Sequence, residues 1–128
     1  MGKIRAKNTL PEMAVRRLVH GMGFRYRLHV ATLPGKPDLV FPRLRKIIQV
    51  HGCFWHRHKG CIDSHIPKSH IEYWKPKLAR NQKRDQANEK ALRRQGWEVL
   101  IIWQCEVSNV NSISDRLRMF LRETPSRD

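Results

Sequence analysis

One short segment of the sequence combines metal ligands, titratable groups and large aromatic side chains. It reads HGCFWHRHKGC, from His51 to Cys61, and holds three histidines and two of the three cysteines in the chain. Thiolates and imidazoles are zinc ligands, histidine is the side chain that titrates nearest neutral pH, and aromatic rings stack on other flat rings. The segment therefore predicts a site where metal binding, proton transfer and ring stacking occur together.

The cysteines and one histidine predict a zinc site. Cys53, His58 and Cys61 have the spacing C-x4-H-x2-C, and Cys105 lies just past a later apolar run, from where it could return as a fourth ligand. Three cysteines with one histidine are a common structural zinc set, whose tetrahedral coordination leaves no position open. The alternative is that Cys53 and Cys61 are ordinary buried thiols and the histidines are surface residues.

Two carboxylates next to turn or cap signals are candidates for further roles. Asp38 follows the turn residues PGKP and opens a short apolar segment, so its carboxylate could be held rigidly as a ligand for a hard cation. On position alone, an ordinary turn residue is the simpler interpretation of Asp38. Glu12 ends the sequence TLPE, which has the spacing of a capping box, and capping alone would account for it.

Three large aromatic residues lie beside basic residues. Phe54 and Trp55 are in the loop among polar residues, and Trp74 is near the start of a basic helical segment. Rings that enter a base stack need this placement, next to lysines and arginines that hold phosphates. Packing of the loop against the rest of the domain would explain the same residues equally well.

The balance of charge predicts a polyanionic partner. The 128 residues include 26 Lys and Arg against 11 Asp and Glu, which gives a formal net charge of +15. Nucleic acid is the partner that best fits such an excess, ahead of an anionic membrane surface. No apolar run approaches the roughly 20 residues that span a bilayer, and the basic start of the chain lacks the apolar region of a signal peptide. A length of 128 residues suits one domain, residues 1–128. The lack of an export signal predicts a location in the cytoplasm.

The elements that must position these residues alternate between helix and strand. Thr9 is expected to cap a first helix that stops near Gly21 and Gly23, and a long helix is expected over 72–95 before Gly96. Ser112 is expected to cap a last helix with Ile113, Leu117, Phe120 and Leu121 facing inward. Alternation or continuous apolar character predicts strands at 24–29, 38–41, 46–51 and 97–103.

This order, α-β-β-β-α-β-α, predicts an α/β fold with a mixed central sheet flanked by helices. The long helix would connect two parallel strands, because a crossover of that length is needed between neighbouring parallel strands. The loop that follows His51 would then lie at the end of a central strand.

Most of the chain resembles the very short patch repair family of DNA mismatch endonucleases. The resemblance extends from Met1 to about Glu106 and is carried by KNTLPEMAVRRLVHGMGFRYRLH, LPGKPDLVFP, VHGCFWHRHKGC and GWEVLIIWQCE. It implies a restriction-endonuclease-like core with a structural zinc. It also implies Mg²⁺-dependent nicking of one strand 5′ to the T of a T:G mismatch, the lesion left when 5-methylcytosine deaminates.

The resemblance assigns the catalytic roles. Asp38 matches an essential metal-binding aspartate, and His56 matches the catalytic histidine. His51 matches a second active-site histidine, and Asp85 the acid that partners the catalytic one. Glu12 matches an acidic residue that supports the site. Restriction-type nucleases of this fold carry Glu-x-Lys on the next strand, whereas this chain has QVHG there, so a histidine is expected to take over part of that role.

The resemblance also assigns the remaining ligands and DNA contacts. Val50, where the best-studied members have Thr, would bind Mg²⁺ through its backbone carbonyl. Lys77 and Asn81 would contact the mismatched bases, and Met1 would be the residue that enters the minor groove from a short N-terminal arm. The matched zinc ligands are Cys53, His58, Cys61 and Cys105, and the matched aromatic wedge is Phe54, Trp55 and Trp74.

The partners follow from the same resemblance. We expect a monomer that binds double-stranded DNA with a T:G mismatch, associates with the nucleoid in the cytoplasm, and works with mismatch-repair proteins and a repair polymerase. Two alternatives are a restriction-type nicking nuclease without mismatch preference and a non-catalytic, zinc-bound DNA-binding module. A Mg²⁺-dependent nick separates the enzyme from the binding module.

Overall fold

The helices and strands occur in the predicted order, α-β-β-β-α-β-α. The computed structural model describes residues 9–54, 56, 58–59, 61, 66 and 68–122. Short 3-10 turns precede α2 at Lys68–His70 and follow β4 at Gln104–Glu106. The main elements are α1 (Leu10–Gly21), β1 (Arg27–Leu28), β2 (Leu39–Phe41), β3 (Lys46–His51), α2 (Ile71–Arg94), β4 (Glu98–Trp103) and α3 (Val110–Leu121).

The four strands form one mixed, open sheet in the order β1-β2-β3-β4. β2 pairs antiparallel with both β1 and β3, as expected for a hairpin. β3 and β4 pair in parallel from Lys46↔Glu98 to His51↔Trp103, and α2 is the crossover between them. The carboxyl ends of β3 and β4 therefore meet at one edge, where the His51 segment begins.

Helices cover both faces of the sheet. α2 packs through Leu92 against Val40, Ile47 and Val99 on one face. α1 and α3 pack on the other face, where the buried side chains are Val15, Val19, Leu39, Phe41, Ile48, Ile102, Ile113, Leu117 and Leu121. Val99 and Ile102 belong to opposite faces, which confirms that the strand ending at Trp103 is buried on both sides.

The first helix begins and ends where the sequence predicts. The Thr9 hydroxyl accepts a hydrogen bond from the Glu12 backbone N–H at 3.3 Å, and Pro11 occupies the first turn, where its missing N–H costs nothing. The helix stops at Gly21, and Gly23 follows with φ +89°, a left-handed conformation that glycine adopts without strain. The same stop signal ends α2, where Gly96 has φ +92°.

Two predicted boundaries are wrong. The strand expected over 24–29 is paired only at Arg27–Leu28: residues 24–26 precede the paired segment, and His29, with φ +47°, ends it after Leu28. The last helix is capped by Asn109, whose side chain accepts from the Ser112 N–H at 3.2 Å, so Ser112 lies inside the first turn. Asparagine and serine are both good N-caps, and only the backbone conformation distinguishes them here.

Charged side chains cover the outer edge of β4, the last strand of the sheet. Arg93 donates to the Val99 carbonyl at 3.1 Å, and Arg116 donates to the Ile101 carbonyl at 3.3 Å. The Trp103 N–H donates to the Glu106 carboxylate at 2.9 Å. Among the described residues, no helix is both long and apolar enough to cross a membrane.

Candidate active site and metal centre

The carboxyl end of β3, Val99 and Ile101 of β4, and the facing side of α2 border a cleft of about 520 Å³. Five residues to which the resemblance assigns a catalytic or metal-binding role line this one cleft, although they come from four separate segments of the chain. These residues are Asp38, Val50, His51, His56 and Asp85. The cleft is also lined by His29, Lys36, Gln49, Asn88 and Glu89, which the sequence analysis did not single out.

Asp38 is fixed against the end of β3. Its Oδ2 accepts a hydrogen bond from the Val50 N–H at 2.7 Å, and its own backbone N–H donates to the Gln49 side chain at 3.3 Å. Burial raises the pKa of Asp38 to about 6, an effect that the Val50 hydrogen bond opposes and the nearby Glu12 carboxylate adds to. The carboxylate is thus rigidly held and ionised at neutral pH at an energetic cost, which a bound cation would offset.

The backbone carbonyl of Val50 is directed towards the same region. The N–H and C=O of one residue leave a strand on the same side, and the Val50 N–H points to Asp38. Carboxylate and carbonyl oxygens are the ligands that Mg²⁺ accepts, usually with several waters. Asp38 and Val50 therefore fit a magnesium site with open positions.

Glu12 does more than cap the first helix. Its side chain is buried, and its Oε2 lies 2.7 Å from His29 Nε2 and 3.7 Å from Arg16 Nη1. Ligand atoms of Glu12, His29 and Asp38 all lie within 4.8 Å of one another. His29 had no motif to mark it in the sequence, because its partners are brought to it by folding.

A second group joins the two cleft histidines to an acid from α2. His56 donates from Nδ1 to the Asp85 carboxylate, and the rings of His51 and His56 stack with centroids 3.8 Å apart and planes 8° from parallel. Burial, and then the nearby His56, lower the pKa of His51 to about 4, so that His51 is neutral at neutral pH. His51 is buried, and its Nδ1 has no hydrogen-bond partner within the described residues. His51 therefore lies against His56 without adding a positive charge to the cleft.

The four predicted zinc ligands converge. Ligand atoms of Cys53, His58, Cys61 and Cys105 all lie within 4.8 Å of one another. His58 Nδ1 is 3.6 Å from the Cys53 sulfur and 3.4 Å from the Cys105 sulfur. Tetrahedral zinc bonds of roughly 2.3 Å to sulfur and 2.0–2.1 Å to nitrogen would separate these atoms by about 3.6 Å. The four residues thus fit a tetrahedral zinc ion.

Two residues of this cysteine–histidine cluster flank His56 in the chain. Cys53 and His58 lie on either side of His56 in the chain, and the His58 N–H donates to the Cys53 carbonyl at 2.9 Å. Trp103 stacks on His58 with ring centroids 4.3 Å apart and meets His51 edge-on at 5.2 Å. Trp103 therefore connects the cluster to the cleft, a role that its place at the end of an apolar run did not reveal.

The aromatic residues gather where the loop meets the start of α2. Phe54 and Trp74 pack edge to face with centroids 5.2 Å apart, and Trp74 also contacts Tyr73 at 4.9 Å. Tyr73, which the sequence analysis missed, is 62% exposed, and Lys77 Nζ lies 5.6 Å from its ring centroid. Trp55 and Met1, which are also assigned to DNA contacts, lie outside the described residues.

Basic residues extend from this aromatic group along α2. Lys77 is exposed and Asn81, one helical turn later, is half-buried with its side chain accepting from Arg84. Their spacing of four residues places them on one side of the helix. From its start as far as Arg84, the exposed cations of α2 are Lys75, Lys77, Arg80, Lys83 and Arg84.

Comparison with known proteins identifies the class of enzyme. The family model described as DNA mismatch endonuclease Vsr matches residues 1–62. The type II nicking enzyme V.XorIIP of Xanthomonas oryzae pv. oryzae is 51% identical over 121 residues, covering 94% of this chain and 88% of the relative. The type II nicking enzyme V.NmeAIP of Neisseria meningitidis serogroup A is 40% identical over 123 residues, 96% of this chain and 87% of the relative.

A third relative carries the name of the family itself. The DNA mismatch endonuclease Vsr of Escherichia coli K12 is 36% identical over 115 residues, covering 90% of this chain and 73% of the relative. These matches make the chain a DNA endonuclease and exclude the alternative of a non-catalytic binding module. It belongs to the Vsr family of DNA mismatch endonucleases, as the resemblance in the sequence predicted.

Proposed function

We propose that this enzyme nicks one DNA strand 5′ to the T of a T:G mismatch left by deamination of 5-methylcytosine. The observation that carries the proposal is the shared position of a buried carboxylate, Asp38, and the His56–Asp85 pair in one cleft. A rigid acid for a metal and a histidine oriented by a second acid are the groups that metal-assisted hydrolysis of a phosphodiester requires.

Asp38 and the backbone carbonyl of Val50 would hold Mg²⁺ in the cleft. The ion supplies charge neutralisation on the phosphate and activation of water when bound. Asp38 contributes a carboxylate that the Val50 N–H keeps from rotating. Glu12, which is buried in the first turn of α1, contributes a second negative charge.

His56 would act as the general base. The hydrogen bond from its Nδ1 to Asp85 leaves Nε2 to accept a proton from the attacking water, and the Asp85 charge stabilises the imidazolium that forms. His51, neutral because of its lowered pKa, stacks on the ring and keeps it in plane without adding a competing positive charge. Zinc on Cys53, His58, Cys61 and Cys105 would fix the loop that presents His56.

Mismatch selection would come from the aromatic group and α2. Phe54, Trp55 and Trp74 would enter the base stack, while Lys77 and Asn81 contact the mismatched bases. Unstacking costs a few kcal/mol per step and is least at a mismatch, so a wedge enters there most easily. Met1 would approach from the minor groove. The exposed cations of α2 would hold the phosphates.

The wider assignment rests on the same family membership. We propose that residues 1–128 form a single domain with a restriction-endonuclease-like core, which acts as a monomer on nucleoid DNA in the cytoplasm. The nick would be processed by mismatch-repair proteins and a repair polymerase. A second candidate function is nicking without mismatch preference, which is favoured by the names of two relatives that are type II nicking enzymes.

A nicking assay tests the proposal and separates the two candidates. Duplexes that differ only in a T:G, T:A or G:C pair are incubated with zinc-loaded protein, with and without Mg²⁺. We expect a nick 5′ to the T of the T:G duplex alone, only with Mg²⁺, and lost in Asp38→Ala and His56→Ala. Asp115→Ala, on the exposed side of α3, is the control and should nick normally. Equal nicking of T:A DNA would support the second candidate.

A further inference from the structure

His29 is tied to both acids beside the cleft. Its Nε2 lies 2.7 Å from Glu12 Oε2, and its backbone N–H donates to the Asp38 carbonyl at 3.1 Å. The residue has φ +47°, a left-handed conformation that histidine adopts only at a cost. This conformation ends β1 and brings the ring back towards the carboxylates.

The three side chains have the spacing and chemistry of a cation site. One ligand atom from each of Glu12, His29 and Asp38 lies within 4.8 Å of the other two. In an octahedral site with bonds of about 2.1 Å, neighbouring ligands are about 3.0 Å apart and opposite ligands about 4.2 Å apart. The 2.7 Å between Glu12 and His29, which is a hydrogen bond here, is within a few tenths of an ångström of the neighbouring-ligand distance. To bind the cation through Nε2, the imidazole would carry its proton on Nδ1 instead.

We propose that His29 is a direct ligand of the catalytic cation, together with Asp38 and Glu12, and that it makes the site prefer Mn²⁺ to Mg²⁺. The inference rests on the proposed function, which places a divalent cation on Asp38. Mg²⁺ is bound almost entirely through oxygen, whereas imidazole nitrogen suits first-row transition metals. A nitrogen ligand in an otherwise carboxylate site therefore shifts selectivity towards the transition metal.

His29→Gln separates coordination from simple orientation of Glu12. The glutamine side chain keeps an N–H that can donate to Glu12 but removes the imidazole nitrogen. Zinc-loaded protein, with the cysteine cluster already filled, is titrated with MnCl₂ by electron paramagnetic resonance and competed with MgCl₂. The control is His20→Gln, an exposed histidine on the last turn of α1 that does not line the cleft.

We expect His29→Gln to weaken Mn²⁺ binding by about tenfold or more while Mg²⁺ binding changes little. Pulsed spectra of the Mn²⁺-bound wild type should show a nitrogen coupling that His29→Gln loses and His20→Gln keeps. An unchanged Mn²⁺-to-Mg²⁺ affinity ratio, or a retained nitrogen coupling, would overturn the inference and leave His29 as a residue that only positions Glu12.

These measurements distinguish failure of the His29 role from failure of the proposed function. If Asp38→Ala abolishes Mn²⁺ binding and His29→Gln does not alter the ratio, the cation site stands and only the ligand role of His29 fails. If wild-type protein binds neither ion, both the His29 role and the Asp38 cation site fail. Mismatch preference is judged separately by the nicking assay, since it does not depend on which cation is bound.

Discussion

Replacing Asp38 by asparagine should stabilise the fold at pH 8 while abolishing nicking. Burial raises the pKa of Asp38 from 3.8 to about 6, so the folded protein binds this proton more tightly than the unfolded chain does. The contribution of this bound proton to the free energy of unfolding is fully present below pH 3.8 and is lost as the pH rises through about 6. At 1.36 kcal/mol per pKa unit, the loss is roughly 3 kcal/mol at pH 8, and asparagine, which carries no charge, avoids it.

Urea unfolding of zinc-loaded protein without Mg²⁺ measures this difference. Asp38→Asn should exceed wild type by under about 1 kcal/mol at pH 4 and by roughly 3 kcal/mol at pH 8. The substituted asparagine would still accept the Val50 hydrogen bond through its amide oxygen. Asp115→Asn, whose side chain is exposed, is the control and should stay within about 0.5 kcal/mol of wild type at both pH values.

Added Mg²⁺ supplies an internal check. Mg²⁺ should reduce the difference in unfolding free energy between Asp38→Asn and wild type at pH 8. It should stabilise wild type alone, since only the charged site binds the cation. Equal or lower stability of Asp38→Asn at pH 8 would refute the claim that this site keeps its charge at the expense of the fold. Such a loss of folding stability is common where a buried charged group serves catalysis.

Three further predictions concern the cysteine–histidine cluster, the aromatic group and the cleft. Cys105→Ser should lower both the zinc content and the melting temperature; full metal content by elemental analysis would remove Cys105 from the ligand set. Trp74→Ala should lower the ratio of T:G to T:A affinity by roughly tenfold or more at one salt concentration, because base–aromatic stacking is worth about 1–3 kcal/mol; an unchanged ratio would make Trp74 a packing residue. Nicking should fall as the pH drops below about 6 and Asp38 takes up a proton, and higher Mg²⁺ should move this acid limb to lower pH; a limb unaffected by Mg²⁺ would belong to another group.

Elements defined by their own residues were predictable from the sequence. β3 was predicted over 46–51 and found there, because its apolar run is bounded by turn residues on one side and by the polar loop on the other. α2 was predicted to within one residue at each end, since Gly96 supplies a clear stop. β1 was predicted too long because alternation extends over 24–29, whereas only Arg27 and Leu28 pair with β2. Its end was not predictable, because His29 turns where it contacts Glu12 and Asp38, which are distant in the chain.

In the candidate site too, ligands close in sequence were predictable, whereas residues brought together by folding were not. The cysteine–histidine cluster was visible because three of its four ligands are close in sequence and because thiols and imidazoles are both common zinc ligands. The pairing of His56 with Asp85 came only from the family resemblance, since 29 positions separate them. Tyr73 and Trp103 were missed because nothing in a single aromatic residue indicates which ring it will meet.

The charged edge of β4 has a consequence for how copies of the protein meet. A strand at the end of an open sheet offers free carbonyls and N–H groups to which another chain can add. Here Arg93 and Arg116 occupy the carbonyls of Val99 and Ile101, and Glu106 occupies the N–H of Trp103. Another chain therefore finds these three edge groups already occupied, and two of the chain's arginines are bound to its own backbone carbonyls.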